Sequence, residues 1–327
     1  MNELNRRELA TPGDDAIFDL QHLALIAADG DDAVDFLQGQ LTNELRDVTA
    51  TRAQQSAWCS PKGRVLTCFL VFRHQGRLLL QLPDALIEQT LKRMRMYVLR
   101  ARATLDNASD ELMRMGLIGE AAEDCLRGIV GALPENADDV RSSESLTIIR
   151  LRGGRPRYEI VGARDAVASV WNACGEVAVV AGADAWELLD IEAGVASIGT
   201  DTSDAFVPQM INLDRIGGVS FTKGCYVGQE IVARTQHLGR IKRRMYRAHW
   251  NGASHLSPGD TLQAAGDANA PRAQIVNARA APTGGFDVLA VIPIDVASDL
   301  RDAGLALADG SKLLFEALPY ALEDENT

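Results

Sequence analysis

The sequence lacks the patterns that mark membrane proteins, common nucleotide-binding sites and metal centres. No stretch reaches the roughly 18 apolar residues that a membrane-spanning helix needs, and residues 1–20 carry acidic side chains without an apolar run, unlike a signal peptide. GxGxxG, GxxxxGKS and GxxxxGKT are absent, which excludes the usual dinucleotide and P-loop fingerprints. No metal-ligand spacing is shown by His22, His74, His249 and His255. These absences predict a cytoplasmic protein with no membrane anchor and no metal site.

Cysteine is scarce and scattered. The chain has five cysteines, an odd number, and no CxxC pair. This argues against a disulfide framework and against a structural zinc site, and it fits a reducing compartment. The cysteines are Cys59, Cys68, Cys125, Cys174 and Cys225. We interpret all of them except Cys225 as structural.

The charge balance is strongly acidic. The net charge is −12 and the isoelectric point is about 4.9. Such a chain is repelled by phosphate backbones, so direct nucleic-acid binding is not expected. The 46% hydrophobic and 24% charged residues are typical of a globular protein, and the length of 327 residues predicts two or three domains.

A pattern of strands and helices occurs twice along the chain, and a pattern of short strands and turns follows it. The apolar runs that predict strands in the first part are residues 23–28, 65–72 and 78–82. A second strand pair within residues 146–161 precedes a helix at residues 163–174, which loosely echoes the first part. From about residue 243, short segments alternate with Gly, Pro, Asn and Asp, as in small all-β domains. We therefore expect a boundary near residues 240–246.

The strongest local signal is the run Lys-Gly-Cys-Tyr-Val-Gly-Gln-Glu at residues 223–230. Lys223 and Gly224 predict a turn, and a helix is expected to begin close to Cys225 or Tyr226 and to end at Gly239. A helix N-terminus and a neighbouring lysine both favour the thiolate form of a cysteine. Cys225 is therefore a candidate reactive or metal-contacting thiol. The alternative is that it packs as a small apolar residue, as free cysteines commonly do.

The run resembles the hallmark motif of YgfZ-type proteins, which are relatives of the aminomethyltransferase (T-protein) of the glycine cleavage system. The motif residues are Lys223, Gly224, Cys225, Tyr226, Gly228, Gln229 and Glu230. Other segments agree in order, from about residue 20 to residue 322. They are Phe-Leu-Gln-Gly-Gln-Leu-Thr-Asn at 36–43, Ser-Pro-Lys-Gly-Arg at 60–64, Arg-Tyr-Glu-Ile at 157–160, Trp186 with Ile-Glu-Ala-Gly at 191–194, and Val-Pro-Gln-Met-Ile-Asn at 207–212.

This resemblance implies an α+β, T-protein-like fold around a central folate cavity. Residues 1–145 and 146–242 would form two ferredoxin-like α+β lobes, the second carrying the motif, and residues 243–327 a C-terminal β-barrel. The implied cofactor is tetrahydrofolate or a derivative. The implied role is support for the assembly or repair of iron–sulfur enzymes, with transient partners such as those that thiomethylate tRNA. Cys225 would be the functional thiol.

The resemblance also implies folate contacts. Glu192 would accept two hydrogen bonds from the pterin, and Trp186 would stack on the folate or wall its pocket. Tyr158 and Glu159 lie on a strand that lines the pocket in relatives. Leu23 stands where some members carry a tryptophan, so one wall would be aliphatic. The alternatives are a solvated helix residue for Glu192, a core aromatic for Trp186 and an ordinary strand residue for Tyr158.

One departure separates the chain from the T-protein. The strand that should carry the aspartate of aminomethyl transfer reads Val-Leu-Thr-Cys-Phe at residues 65–69, without a carboxylate. Neither Thr67 nor Cys68 is an obvious proton carrier near pH 7. We therefore expect an accessory protein. The alternatives are a folate-dependent aminomethyl- or methyltransferase, and a module that recognises RNA or a protein partner.

A basic run stands out in this acidic chain. It contains Arg234, His237, Arg240, Lys242, Arg243, Arg244 and Arg247. One interpretation is a patch for the polyglutamate tail of folate or for RNA. The other is a solvated helix end and linker, because cations are favoured near a helix C-terminus and no aromatic platform accompanies the run.

Overall fold

The computed structural model describes residues 15–237, 241–252, 254–266, 272–299 and 304–322. The chain divides into two compact units. Unit 1 comprises Met1–Gln38, Glu44–Gln54 and Phe69–Glu187, and unit 2 comprises Gly39–Asn43, Gln55–Cys68 and Leu188–Thr327. The three domains expected from the sequence, and the two boundaries between them, stay a prediction.

Strands and helices alternate through most of the described chain. The strands are β1 Ala16–Asp19, β2 Leu23–Asp29, β3 Gln54–Cys59, β4 Val65–His74, β5 Arg77–Pro83, β6 Thr104–Asn107, β7 Met113–Ile118, β8 Val140–Ser142, β9 Leu146–Arg150, β10 Arg157–Gly162, β11 Val179–Ala181, β12 Arg243–Trp250, β13 Thr261–Gln263, β14 Arg272–Ala280, β15 Phe286–Pro293, β16 Leu305–Ala306 and β17 Lys312–Glu316. The α-helices are α1 Ala33–Gln38, α2 Ile87–Val98, α3 Glu120–Val130, α4 Arg164–Cys174, α5 Ala183–Glu192, α6 Gln229–His237 and α7 Ile294–Asp299.

A six-stranded sheet in unit 1 has the order β11-β1-β7-β10-β9-β8. Strand β1 pairs in parallel with β11, and the other neighbouring strands of this sheet pair antiparallel. Helix α4 buries Val167, Val170 and Cys174, which recur at helical spacing and so form one apolar stripe. That stripe joins the side chains of Leu117 and Ile160 in the core of the unit.

A five-stranded sheet has the order β3-β4-β5-β2-β6. Its strand β4 is buried along almost its whole length, which explains why the sequence reads as a continuous apolar run. Helix α2 packs against β2 and β6 and buries Ile87, Leu91 and Met94. The two sheets are mixed with helices, which is the α+β character predicted from the sequence.

The C-terminal sheet in unit 2 has the order β13-β14-β15-β12-β17-β16. Its two edges meet, because Ala264 and Leu307 form an antiparallel bridge. The amide of Ala265 donates to the carbonyl of Ala306, and the amide of Ala308 donates to the carbonyl of Gln263, both at 2.9 Å. The sheet therefore curls into a small barrel, as predicted for the C-terminal part of the chain.

Candidate functional site

The motif of residues 223–230 forms a loop that leads into a helix, but the helix begins later than the sequence predicts. Helix α6 starts at Gln229, after Gly228 takes a φ of 82°. The predicted start at Cys225 or Tyr226 is therefore wrong. A helix dipole acts within its first turn, so it does not act on Cys225, four residues before the helix. The predicted helix end at Gly239 lies outside the described residues.

Lys223 anchors the start of the motif loop inside unit 2. Its side chain is buried, and its Nζ donates to the carbonyl oxygens of Leu41 and Asn43, at 2.8 Å in each case. The ammonium also lies 5.3 Å from the centre of the Tyr226 ring, within the range of a cation–π interaction. Burial of an ammonium is tolerated when hydrogen bonds replace its water, and the two carbonyls do this here.

Tyr226 anchors the other side of the thiol. Its ring is buried, and burial raises the pKa of its hydroxyl above the ordinary range, with a smaller contribution from Cys59. Between these anchors Gly224 and Cys225 are exposed. The alternative that Cys225 packs as a core residue is therefore wrong. The loop is held at both ends and presents the thiol to solvent.

Gly228 fits against the turn formed by residues 60–64. A Cβ at Gly228 would lie 2.5 Å from the carbonyl oxygen of Ser60 and 3.0 Å from the Cα of Gly63. Gly63 has a φ of 68°, and a Cβ there would lie 2.7 Å from the Cβ of Ile231. The two glycines thus allow two backbone segments of unit 2 to touch. The structure brings together two segments that the sequence singled out separately.

Gly224 behaves differently. A Cβ at this position would meet nothing within 4 Å, and Gly224 is not among the residues of positive φ. Of the two motif glycines, only Gly228 lies so close to other backbone atoms that a side chain would not fit. The atoms it approaches belong to residues 60–64 of this chain.

The turn of residues 60–64 is held by polar contacts. The amide of Ser60 donates to the carbonyl of Arg64, and the amide of Gly63 donates to the carbonyl of Ser60, both at 2.8 Å. The Ser60 hydroxyl donates to Asp204 at 2.7 Å, and the Arg64 guanidinium donates to the carbonyl of Ala205. Because the turn is fixed, Gly228 and the loop before it are fixed as well.

Thr67 and Cys68, on the strand that lacks the T-protein aspartate, are buried. Thr67 is fully buried and its hydroxyl donates to the carbonyl of Cys68 at 3.3 Å. Burial raises the pKa of the Cys68 thiol to about 12. Neither side chain can therefore exchange a proton readily near pH 7.

Most of the basic run is engaged by the chain itself. Arg244 is buried and holds both carboxylate oxygens of Asp214, at 2.6 and 2.9 Å. Arg234 pairs with Glu230 and Arg247 with Glu316, each at 2.8 Å. The Arg243 guanidinium donates to the carbonyl oxygens of Arg272 and Val291. Arg240 lies outside the described residues. These contacts favour the helix-end and linker interpretation.

Trp186 is only 1% exposed and packs in the core of unit 1. Its ring lies over Gly116, where a Cβ would approach it to 2.4 Å. The ring centre is 4.9 Å from that of Phe18, and the Arg157 guanidinium carbon lies 5.2 Å from it. This position fits the core-aromatic alternative, and the folate contact of Trp186 stays a prediction.

A buried polar cluster lies on the same side of the sheet as Trp186. Glu159 is 0% exposed and accepts from Gln81 Nε2 at 3.0 Å. Strand register places Glu159 opposite Gly116, the residue that the Trp186 ring covers. Burial lowers the pKa of Arg114, and the attraction of Glu159 opposes that shift. We call Trp186, Arg114, Arg157, Glu159 and Gln81 the Trp186 cluster.

Tyr158 points away from this cluster, because neighbouring residues of a strand face opposite sides. Its ring joins the core beneath α3 and α4, and the Arg150 guanidinium lies 5.3 Å from its centre. Burial raises the pKa of the Tyr158 hydroxyl. The structure therefore does not bring Tyr158 together with Trp186, and the role of Tyr158 in folate binding stays a prediction.

Two further residues predicted to contact folate are half-buried. Glu192 is the last residue of α5 and belongs to unit 2. Among the described residues, no donor lies within hydrogen-bonding distance of its carboxylate. Leu23 begins β2 in unit 1, and its amide donates to the carbonyl of Leu20 at 3.0 Å. The folate contacts of Glu192 and Leu23 stay predictions.

The comparisons with known proteins decide the family. The model of the GCVT N-terminal domain matches residues 5–221. A protein from Klebsiella pneumoniae named tRNA-modifying protein YgfZ is 30% identical over 310 residues, covering 93% of each chain. This chain belongs to the YgfZ family. Another member, from Sodalis glossinidius and of the same name, is 29% identical over 309 residues, covering 94% of this chain and 93% of its own.

The fold of this YgfZ-family chain is that of the T-protein. The glycine cleavage system aminomethyltransferase T from Bartonella henselae superposes with a TM-score of 0.72, covering 95% of this chain and 87% of its own, at 16% sequence identity. The family and the T-protein-like fold predicted from the sequence are confirmed. Within the described part of the chain, no helix is long and apolar enough to cross a membrane.

Sequence reasoning singled out Trp186 and Glu159 but missed Arg114 and Gln81, and it did not bring the members of the Trp186 cluster together. Its members come from strands β5, β7 and β10 and from helix α5, so no short motif contains them. The one available signal was the set of charged residues inside otherwise apolar strands, such as Arg114 and Glu159.

Proposed function

We propose that this YgfZ-family chain is a folate-binding accessory protein that supports iron–sulfur enzymes, including those that thiomethylate tRNA. Cys225 is its functional thiol. The observation that carries the proposal is the exposure of Cys225 in a loop anchored by two buried side chains, Lys223 and Tyr226. The name of the relatives, tRNA-modifying protein, supports the connection to tRNA.

The chemistry of the other cysteines supports the choice of Cys225. Burial raises the pKa of Cys59, Cys68 and Cys174, which keeps these thiols protonated at neutral pH and out of reach of an external partner. All five cysteines lie in the described chain, and Cys225 is the one that is exposed. Because its loop is anchored on both sides, the thiol meets a partner or a bound one-carbon unit in a fixed position.

Tetrahydrofolate or a derivative is the proposed cofactor, and two carboxylates suit its pterin ring. Glu192 is half-buried without a donor among the described residues, so it can accept from the pterin ring N–H and its exocyclic amino group. Glu159 lies beside Trp186 in a cluster where Gln81 Oε1 and Arg114 Nε, both buried, have no hydrogen-bond partner in the described structure. Buried polar atoms ordinarily find partners, and a polar ligand would supply them.

The transferase alternative has no support from the described residues. The T-protein aspartate is replaced at a strand where Thr67 is sealed and the Cys68 thiol holds its proton up to about pH 12. The proposed function therefore contains no aminomethyl transfer to an acceptor.

The thiol role is tested by replacing Cys225 with alanine in cells that depend on this protein. Cys225→Ala should abolish support for the tRNA-thiomethylating enzyme, measured as the thiomethylated fraction of tRNA by mass spectrometry. The unfolding temperature should not change, because the side chain is exposed. The matched control is Thr222→Ala, an exposed change in the same loop, which should keep full activity. Full activity of Cys225→Ala would refute the thiol role.

Folate binding is tested by calorimetric titration with 5-formyltetrahydrofolate, a stable derivative. Loss of a two-point carboxylate contact should weaken binding about 10- to 100-fold, from roughly 1.5–3 kcal/mol for hydrogen bonds to a charged group. A loss for Glu192→Gln places the pterin at the end of α5, and a loss for Glu159→Gln places it at the Trp186 cluster. Glu88→Gln, an exposed carboxylate on α2, serves as the control. Absence of binding by the unmodified chain would refute the folate role.

A further inference from the structure

Two cysteines that the sequence marks only as structural touch each other in unit 1. Cys125 lies on α3, and Cys174 is the last residue of α4. Their sulfur atoms are 3.3 Å apart, and the Cys174 thiol is directed at the Cys125 sulfur. Cys125 is half-buried and accessible from solvent, whereas Cys174 is 0% exposed.

We propose that Cys125 and Cys174 form a dithiol oxidation site that reacts with a small peroxide and closes into a disulfide. Both cysteines belong to unit 1, whereas Cys225 belongs to unit 2. The site is built from one thiol that solvent can reach and one that only its neighbour can reach.

Packing of the helices makes the closure possible. Helices α3 and α4 lie against each other over the same core, in which Cys174 packs fully and Cys125 packs at the margin. A disulfide has an S–S length of about 2.0 Å, so the sulfur atoms must approach by about 1.3 Å. Rotation of two side chains on adjacent helices can supply a movement of this size without separating the helices.

The reaction proceeds in two balanced steps. The Cys125 thiolate attacks one oxygen of the peroxide, the O–O bond breaks, and Cys125 becomes a sulfenic acid. The second oxygen leaves as hydroxide or alkoxide and takes up the proton that the Cys125 thiol lost, which gives water or an alcohol. The Cys174 sulfur then attacks the sulfenic sulfur, and the hydroxyl leaves as water with the Cys174 proton. The peroxide is reduced by two electrons, and the two thiols are oxidised by two electrons.

Burial of Cys174 excludes it from the first step, and its contact with the Cys125 sulfur places it for the second. Burial, together with the hydrogen bond and charge of Cys125, raises the pKa of Cys174 to about 12. Its thiol is thus protonated and shielded from external oxidant, and it reacts only after Cys125 has been oxidised beside it. The sulfenic hydroxyl accepts the proton that Cys174 must lose.

Closure also constrains the chain. The linked positions are 49 residues apart in sequence, so the disulfide restricts the unfolded chain between them and stabilises unit 1. Oxidation of the full chain should therefore raise the temperature at which unit 1 unfolds.

The experiment treats the full chain with a few equivalents of hydrogen peroxide, blocks free thiols under denaturing conditions, and maps disulfides by peptide mass spectrometry. We expect a Cys125–Cys174 link that dithiothreitol reverses, together with a rise in unfolding temperature. Cys125→Ser should form no link, should leave Cys174 reduced, and should show no rise. In Cys174→Ser, peroxide should oxidise Cys125 further to the sulfinic acid, because no second thiol is present to condense with the sulfenic acid.

The buried pair Cys59 and Cys68 provides an internal control, since peroxide should leave both reduced. The proposal is overturned if the treated wild-type chain carries Cys125 as sulfinic acid or as a free thiol without a bond to Cys174. It is equally overturned if a Cys59–Cys68 link forms in the same yield, because unfolding would then explain both links.

Discussion

A single methyl group at Gly228 should release the motif loop from the turn on which it rests. Gly228 has a φ of 82°, and a left-handed backbone costs about 1–2 kcal/mol for a residue with a Cβ. The added Cβ would also lie 2.5 Å from the Ser60 carbonyl oxygen, a backbone atom that cannot rotate away. Overpacking of this kind costs about 1–3 kcal/mol. Gly228→Ala should therefore lower the free energy of unfolding by about 2–5 kcal/mol.

The assay is urea unfolding combined with the reaction rate of Cys225 with a thiol reagent. The free energy of unfolding falls by about 1–3 kcal/mol for each molar of urea. A loss in the middle of the range of about 2–5 kcal/mol therefore shifts the urea midpoint by about 1 M or more. Gly224→Ala is the matched control, because a Cβ there meets nothing within 4 Å and should shift the midpoint little. The Cys225 rate should change in Gly228→Ala and stay constant in Gly224→Ala. Equal midpoints for the two variants would refute the argument that Gly228 locks the loop.

Two further predictions concern buried polar groups. Lys223→Met leaves two carbonyls without their shared donor and should lower the free energy of unfolding, measured in urea, by about 2–4 kcal/mol. The control Lys62→Met, at an exposed site, should change it by less than about 0.5 kcal/mol, and equal losses would contradict the anchoring role of Lys223. Burial and the neighbouring Arg77 lower the pKa of His74 in the folded chain, so the unfolded chain binds the proton first and stability falls as pH drops below about 6.5. His74→Gln should flatten the dependence of the urea midpoint on pH in that window, and an unchanged slope would show that His74 does not produce it.

The sequence alone predicted the fold through patterns that are local. The apolar runs of β2, β4 and β5 and the helical stripe of α4 are each contained in one short segment. The eight-residue motif is also local, and it led to the YgfZ family that the comparisons confirm. The C-terminal barrel was visible as short strands separated by turn residues.

The geometry of the site depended on contacts between distant segments, which local patterns do not contain. The start of α6 was misplaced because Lys223 and Gly224 suggested the turn, whereas the decisive turn occurs at Gly228 against residues 60–64. The argument for a thiolate rested partly on that misplaced helix start and partly on the neighbouring Lys223. Exposure of Cys225 follows instead from the burial of Lys223 and Tyr226. The contact between Cys125 and Cys174 likewise cannot be predicted from local patterns, because the two residues are 49 positions apart in the sequence.

The two interpretations of Trp186, core aromatic and folate contact, can be separated at Gly116. A Cβ at Gly116 would lie 2.4 Å from the Trp186 ring, so Gly116→Ala must displace the ring and should cost about 1–3 kcal/mol. Gly162→Ala is the matched control, because its Cβ meets the Ser145 carbonyl oxygen at 2.2 Å in the same unit without touching Trp186. Both variants should lose stability in urea unfolding.

Titration of the folded variants with 5-formyltetrahydrofolate then distinguishes the two roles. If the Trp186 ring also contacts folate, Gly116→Ala weakens binding while Gly162→Ala preserves it, because only the first displaces the ring. If both variants bind as tightly as the unmodified chain, Trp186 serves the core alone. The pterin site must then be sought at Glu192, whose carboxylate has no donor among the described residues.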